Sequence, residues 1–339
     1  MAERSSAETL TGHAGELATR LLAWTREAPL VHVAGSERRA NELAALVRGL
    51  APDLAVDVLP GWDCLPYDRA PPSRLAMGRR TAALARMAQA APALLLTTPD
   101  AILQRVPPRS LWPEIRLELH PGEPVADLAP WLSRAGYVLD ERVDEPGEAA
   151  LRGEVIDLFP AGAAVPVRID HADGRVTALW DYDPVSQLTI AEREAVVLDP
   201  ASECVTGSER FPGMEHWLPD FVPGLETLFD YLPEAGLAIE PKAEERRLAF
   251  LEQVADAHAG RRARPEREGR PPLPPERLYL DAAAWDGAVR GRRLSLLAFA
   301  NGEPAVPRFA AGKSPIKAAA SFVAERLRKG RVVLAGSER

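Results

Sequence analysis

A chain of 339 residues with 46% hydrophobic and 27% charged side chains can bury a substantial core and divide into two or three domains. No apolar run approaches the roughly 18 residues needed to cross a bilayer, and the start, MAERSSAETL, lacks the basic-then-apolar order of a signal peptide, so the expected setting is the cytoplasm, with no membrane partner. The net charge of −8 is unevenly placed: residues 114–200 hold 18 Asp and Glu against 7 Arg and no Lys, a net of −11 that leaves +3 elsewhere, so this segment is poorly suited to nucleic-acid phosphates and better suited to a protein partner, unless its acids only form a solvated face.

The predicted elements begin with a helix over Ala14 to Arg26, where Leu17, Leu21, Leu22 and Trp24 recur at helical spacing. Leu30 to Ala34 is a short apolar run closed by Gly35, the pattern of a buried strand. Ser36 then stands as N-cap to a helix over Glu37 to Leu50. The alternation continues with a strand over Ala55 to Leu59, an Ala- and Arg-rich helix over Arg74 to Ala90, a strand over Ala93 to Thr97 and a short helix over Pro99 to Gln104. Strands and helices in this order form a parallel, doubly wound sheet.

The middle of the chain changes character. After a helix over Val125 to Ala135, short runs at Val155 to Phe159, Val165 to Ile169, Val176 to Tyr182 and Ala195 to Leu198 are separated by turn residues, which reads as antiparallel sheet with one helix. Asp173-Gly174 is a hairpin signal. Beyond Phe211, strands over Gly236 to Ile239 and Leu278 to Leu280 and an amphipathic helix over Ala243 to His258 return to the first pattern. A helix over Lys313 to Arg328 leads to Arg331 to Arg339, which repeats the Ala-Gly-Ser-Glu-Arg of residues 34–38, so a linker helix and the opening of a further domain are expected there. The expected division is 1–113, 114–200, 201–305 (the first domain resumed) and 306–339.

Catalytic signals are thin. Thr11-Gly12-His13-Ala14-Gly15-Glu16 stands where a phosphate-binding loop would open the first helix. Gly12 and Gly15 suit such a loop, but Gly-Lys-Ser/Thr is missing and Glu16 sets negative charge where phosphates need a cation. No Asp-Glu pair follows an apolar strand to organise magnesium. The stretch reads as a degenerate nucleotide site, or simply as a loop and helix cap, with neither ATP turnover nor a cofactor expected. The six histidines show no HExxH or HxH spacing, and Cys64 and Cys204 lie outside any CxxC, so no metal site is expected. Asp181 and Asp183 precede Pro184 and fit a turn or ion-pair edge better than an acid–base pair. No catalytic residue emerges, and the chain is not expected to be an enzyme.

Two segments carry a family resemblance. Leu59 to Asp68 (LPGWDCLPYD), followed by Pro72-Ser73 and the helix from Arg74, is similar to the LPxWExLPYD…SP stretch in the first domain of the bacterial transcription-repair coupling factors. Arg152 to Pro160 (RGEVIDLFP), with Pro166 to Asp170 and Tyr182 to Gln187, resembles the RGxxxDxFP…PxRxxF…FDxxSQ signature of the UvrB-like interaction domain. The resemblance implies a degenerate RecA-like, P-loop-type parallel-sheet domain with an inserted, mainly antiparallel α+β domain that docks on UvrA, the damage-recognising ATPase. It implies a nucleotide-excision-repair adaptor that brings UvrA to RNA polymerase stalled at DNA damage. The polymerase, DNA, ATP and magnesium would then be engaged by the translocase and other domains of the full-length proteins, outside these residues. The family's UvrA-contacting arginines fall on Arg152 and Arg168. Its aromatic contact residue falls on Ala172, with His171 beside it as a substitute anchor.

Read from the residues alone, sparse arginines in an acidic domain suit bidentate pairing with a partner's carboxylates. The alternative is pairing within the domain, to Glu148, Glu154 or Asp170. Two other functions stand beside the adaptor. A UvrB-like helicase acting on damaged DNA would need the P-loop lysine and a long aromatic hairpin, whereas the region around Trp62 to Arg79 is short and holds only Trp62 and Tyr67. A scaffold with another protein partner stays open.

Overall fold

A computed structural model describes residues 9–68, 70–263, 271–300, 309–330 and 332; the repeat expected over Arg331 to Arg339 falls almost wholly outside them. The chain opens with β1 (Thr9–Leu10) and α1 (Ala14–Thr25), which buries Leu17, Ala18 and Leu21. A fully buried β2 (Leu30–Val33) leads to α2 (Glu37–Leu50), where the Ser36 hydroxyl accepts the Arg39 N–H at 3.2 Å and satisfies a helix-end donor. Next come β3 (Val56–Leu59), α3 (Arg74–Gln89), β4 (Leu94–Thr97), α4 (Pro99–Leu103) and α5 (Leu111–Ile115).

The middle unit is entered by β5 (Leu117–Leu119) and left by β12 (Val196–Leu198), which pair antiparallel with each other. Between them lie α6 (Leu128–Ala135), ended by Gly136 at φ 89, then β6 (Val138–Leu139), β7 (Glu148–Arg152), β8 (Val155–Leu158), β9 (Val167–Ala172), β10 (Arg175–Tyr182) and β11 (Thr189–Arg193). These form a six-stranded sheet in the order β11-β10-β9-β8-β7-β6, antiparallel except where β6 meets β7. The expected hairpin joins β9 to β10, with Asp173 and Gly174 both left-handed at φ 50 and 73, as a type I′ turn requires.

The chain then returns through α7 (Leu218–Phe221) and α8 (Leu228–Tyr231) to β13 (Gly236–Ile239), α9 (Pro241–Arg262), α10 (Ala282–Val289), β14 (Leu294–Leu296), β15 (Ala298–Phe299) and α11 (Pro315–Leu327). The wholly parallel sheet runs β14-β13-β2-β4-β3, so strands from before and after the middle unit share one sheet; β1 pairs with β15 beside it. This is the expected architecture, a parallel α/β sheet with an inserted, mainly antiparallel α+β unit. One apolar cluster joins the two: it includes Leu59 and Leu95 of the parallel sheet and Leu158 and Ile169 of the insertion. Among the described residues no helix is long and apolar enough to cross a membrane.

Three local expectations are corrected. Leu278 to Leu280 is not a strand: Pro274 and Pro275 lead into a 3-10 turn, the Tyr279 N–H donates to the Pro275 carbonyl at 2.8 Å, and Tyr279 makes only an isolated bridge to Gln104. The fifth parallel strand is β14 instead. The strand expected over Val165 to Ile169 starts at Val167 and runs to Ala172, so His171 and Ala172 belong to it. The helix expected from Val125 starts at Leu128, after Val125 has bonded back into the hairpin through its N–H to the Gly174 carbonyl at 3.0 Å.

Candidate protein-docking face

Strand alternation divides the six-stranded sheet into two faces. On one, Ile156, Ile169 and Leu179 are in register and join the cluster that holds Leu128, Trp131 and Leu132 of α6. On the other, Arg152 lies opposite Val155, Ala150 opposite Asp157, Asp157 opposite Arg168 and Arg168 opposite Trp180. The helix therefore covers the first face, and the second carries the arginines.

Asp157 organises that face. The Arg168 guanidinium donates twice to it, Nε to Oδ1 at 2.7 Å and Nη2 to Oδ2 at 3.0 Å, while Arg152 Nη1 stands 3.7 Å from Oδ2. Asp157 is 2% exposed, Arg168 22% and Arg152 48%, so one buried carboxylate anchors a mostly covered arginine and steers a half-exposed one. Arg168 also lies over the Tyr182 ring, 5.0 Å from its centroid, and its hydrogen bond to Asp157 raises the guanidinium pKa further. Pairing within the domain is thus present, but through Asp157, and two of the partners suggested by sequence, Glu148 and Asp170, are engaged elsewhere. Glu148 pairs with Arg74 at 3.0 Å and accepts the Asp144 and Glu145 N–H groups at 2.9 Å, and Asp170 accepts the Trp180 indole N–H at 2.8 Å.

Of the four expected docking residues, Arg152 and Arg168 come together. Ala172 follows Arg168 and Asp170 on the same side of β9 but lies by the hairpin, opposite Arg175. His171 alternates to the other side with Ile169, and its N–H donates to the Glu154 carbonyl at 2.9 Å. Sequence reasoning missed Asp157, although it lies inside RGEVIDLFP. Only the register, which sets it opposite Arg168, reveals its role.

The loop before α1 is closed from within. The Glu16 carboxylate accepts from the Thr11 hydroxyl and from the Thr11 N–H at 2.9 Å, bonds that hold its pKa below the usual carboxylate range. Gly12, at φ 74, has no room for a side chain, since a Cβ there would lie 2.9 Å from the Phe299 ring, and its carbonyl accepts Arg39 Nη2 at 2.6 Å. Beyond the ends of β2 and β13, Glu240 accepts Gly35 N–H at 3.0 Å, Arg39 Nε at 3.1 Å and His32 Nε2 at 3.3 Å. Burial alone would raise this carboxyl, but these contacts outweigh it and hold it at about 2. Amides and a guanidinium that could greet a phosphate are thus occupied by the protein's own carboxylates.

The LPGWDCLPYD stretch ties parts of the fold together. Trp62 Nε1 reaches Glu203 at 3.4 Å, Tyr67 donates to the Leu273 carbonyl at 3.0 Å, and Glu203 also pairs with the fully buried Arg80. Burial and the nearby Asp63 and Asp68 push the Cys64 thiol up to about 12. An open groove of about 690 Å³ beside this stretch is lined by Asp68, Glu252 and Asp256 against Arg261, an acidic balance that disfavours phosphate. Among the described residues no group of His, Cys, Asp and Glu could hold a metal ion.

Residues 115–204 match the family model of the UvrB interaction domain. The chain is 31% identical over 260 residues to the transcription-repair-coupling factor of Haemophilus influenzae, covering 67% of this chain and 22% of that protein. It is 29% identical over 309 residues to that of Escherichia coli, covering 80% of this chain and 26% of the relative. The Mycobacterium tuberculosis factor is 31% identical over 178 residues, 50% of this chain and 14% of its own length. The matches thus span about a quarter or less of these relatives.

Proposed function

We propose that this chain, a module of the transcription-repair-coupling-factor type with a UvrB interaction domain over residues 115–204, is an adaptor that binds UvrA. One observation carries the reading: the matched domain turns a sheet face outward on which Arg152 and Arg168 flank a single buried carboxylate. Planar guanidinium groups held in this way are suited to a partner's carboxylates, and arginine is enriched among interface hot spots. The acidic balance of 114–200 fits a protein partner better than DNA. The relatives' name couples transcription to repair, which supports a role in bringing UvrA to RNA polymerase stalled at damage, in the cytoplasm. ATP-driven translocation, which the family resemblance puts outside the matched part of those relatives, is not assigned to these residues. The loop is closed at Gly12 and Glu16, although Gly15 faces open space, which supports that division and speaks against a helicase role. Immobilised chain should retain UvrA from a bacterial extract, and the Arg152→Glu variant should not. Equal recovery with both, or with neither, would count against the reading.

A further inference from the structure

Of the Tyr182-Asp183-Pro184-Val185-Ser186-Gln187 motif, Tyr182 lies under Arg168, while the turn that follows it is heavily built. The Asp183 carboxylate accepts the Val185 and Ser186 N–H groups at 3.2 and 2.6 Å, and its carbonyl accepts the Gln187 N–H at 2.8 Å. Gln187, at φ 61, sends its side-chain amide to the Pro184 carbonyl at 2.7 Å, and the Asp183 N–H donates to the Leu188 carbonyl at 2.9 Å. This ordering buries no apolar group of the loop. Val185 is 81% exposed, Leu188 69% and Ile190 62%, the last on β11, an edge strand of the sheet. A fixed turn holding large aliphatic side chains in water is arranged for contact, because ordering costs entropy and apolar exposure costs solvation free energy.

Its position says what the contact is. Arg168 Nη1 lies 3.4 Å from the Gln187 carbonyl, and Arg142 Nη2 lies 3.2 and 3.4 Å from the Pro184 and Val185 carbonyls. The aliphatic ledge is therefore continuous with the arginine face and flanked by guanidinium groups on two sides. Resting on the proposed adaptor role, we infer that Val185, Leu188 and Ile190 form the apolar half of the UvrA-docking surface and receive an apolar patch bordered by carboxylates. Hot spots of this kind combine a desolvated apolar centre with charged neighbours.

The test is calorimetric titration of purified UvrA with the unaltered chain, with Val185→Ser/Leu188→Ser, and with Ile316→Ser, whose residue is 86% exposed but lies on α11. The ledge variant should bind about tenfold or more weakly with the salt dependence of binding unchanged, whereas Ile316→Ser should bind as the unaltered chain does. Thermal melts of all three should coincide. If the unaltered chain binds and the ledge variant binds equally well, the ledge is not part of the surface and the adaptor role stands. No binding by the unaltered chain would overturn both. If sedimentation shows the unaltered chain self-associating and the ledge variant monomeric, a second copy covers the ledge and the inference fails.

Discussion

Replacing Arg168 with Ala removes both donors that hold Asp157 at 2.7 and 3.0 Å and leaves a carboxylate only 2% exposed. Stranding one partner of a buried ion pair costs about 3–5 kcal/mol. Here the loss is smaller, since Arg152 stands 3.7 Å away and deletion of the arginine lets water in, so about 2–3 kcal/mol is expected. In a chain of 339 residues that lowers the melting temperature by roughly 3–4 °C. Arg152→Ala should change stability by only about 0.5 kcal/mol, because its contact is longer than a hydrogen bond and half exposed. The assay is a double-mutant cycle by thermal and denaturant unfolding with Asp157→Ala, Arg168→Ala and the pair. Removing both partners should recover part of the loss, with a coupling of about 2 kcal/mol. An Arg168→Ala variant as stable as the unaltered chain, or an Arg152→Ala variant equally damaged, would refute the assignment of Asp157 as the anchor of this face.

Other outcomes follow from the same geometry. Titration with millimolar ATP and magnesium should give no heat, since Glu16 and Glu240 occupy the groups a phosphate would use, and saturable binding would contradict this. Glu240, held at about 2 against an ordinary carboxylate value near 4.5, contributes stability that is complete above pH 4.5 and lost as pH falls toward 2. Its contribution is of order 3 kcal/mol, so Glu240→Gln should flatten that part of the pH–stability curve, and an unchanged slope would rule it out. A Cβ at Gly78 would lie 2.9 Å from the Gly162 nitrogen and 3.2 Å from the Ala161 Cα, backbone atoms of the insertion. Gly78→Val should therefore destabilise by about 1–3 kcal/mol, whereas Gly49→Ala, in open space within α2, should be neutral or stabilising, which paired melts will check.

Much of the parallel sheet was legible because local and global signals agree there. Leu30–Val33 and Leu94–Thr97 are short buried runs, apolar but for His32 and Thr97, Ser36 is a true cap, and Asp173-Gly174 is the hairpin turn expected. Strand β7 was not legible, because Glu-Ala-Ala-Leu-Arg carries helix-forming residues and becomes a strand only by pairing with β8. Leu278-Tyr279-Leu280 misled in the opposite sense, being apolar enough for a strand but held in a turn by its prolines. The arginines of the docking face were found through a family signature. Asp157 and the ledge at Val185 and Leu188 needed the register and the exposures, which no single-strand pattern carries.

The central claim is that the outward arginine face docks on UvrA, and titration of purified UvrA with the chain and with Arg152→Glu tests it most directly. Arg152 suits the test because its removal should leave the fold intact. The unaltered chain should bind saturably, with affinity falling as salt rises, and the reversal of charge should weaken binding by about thirtyfold or more at an unchanged melting temperature. Equal affinity of the two proteins for UvrA, with both fully folded, would contradict the account.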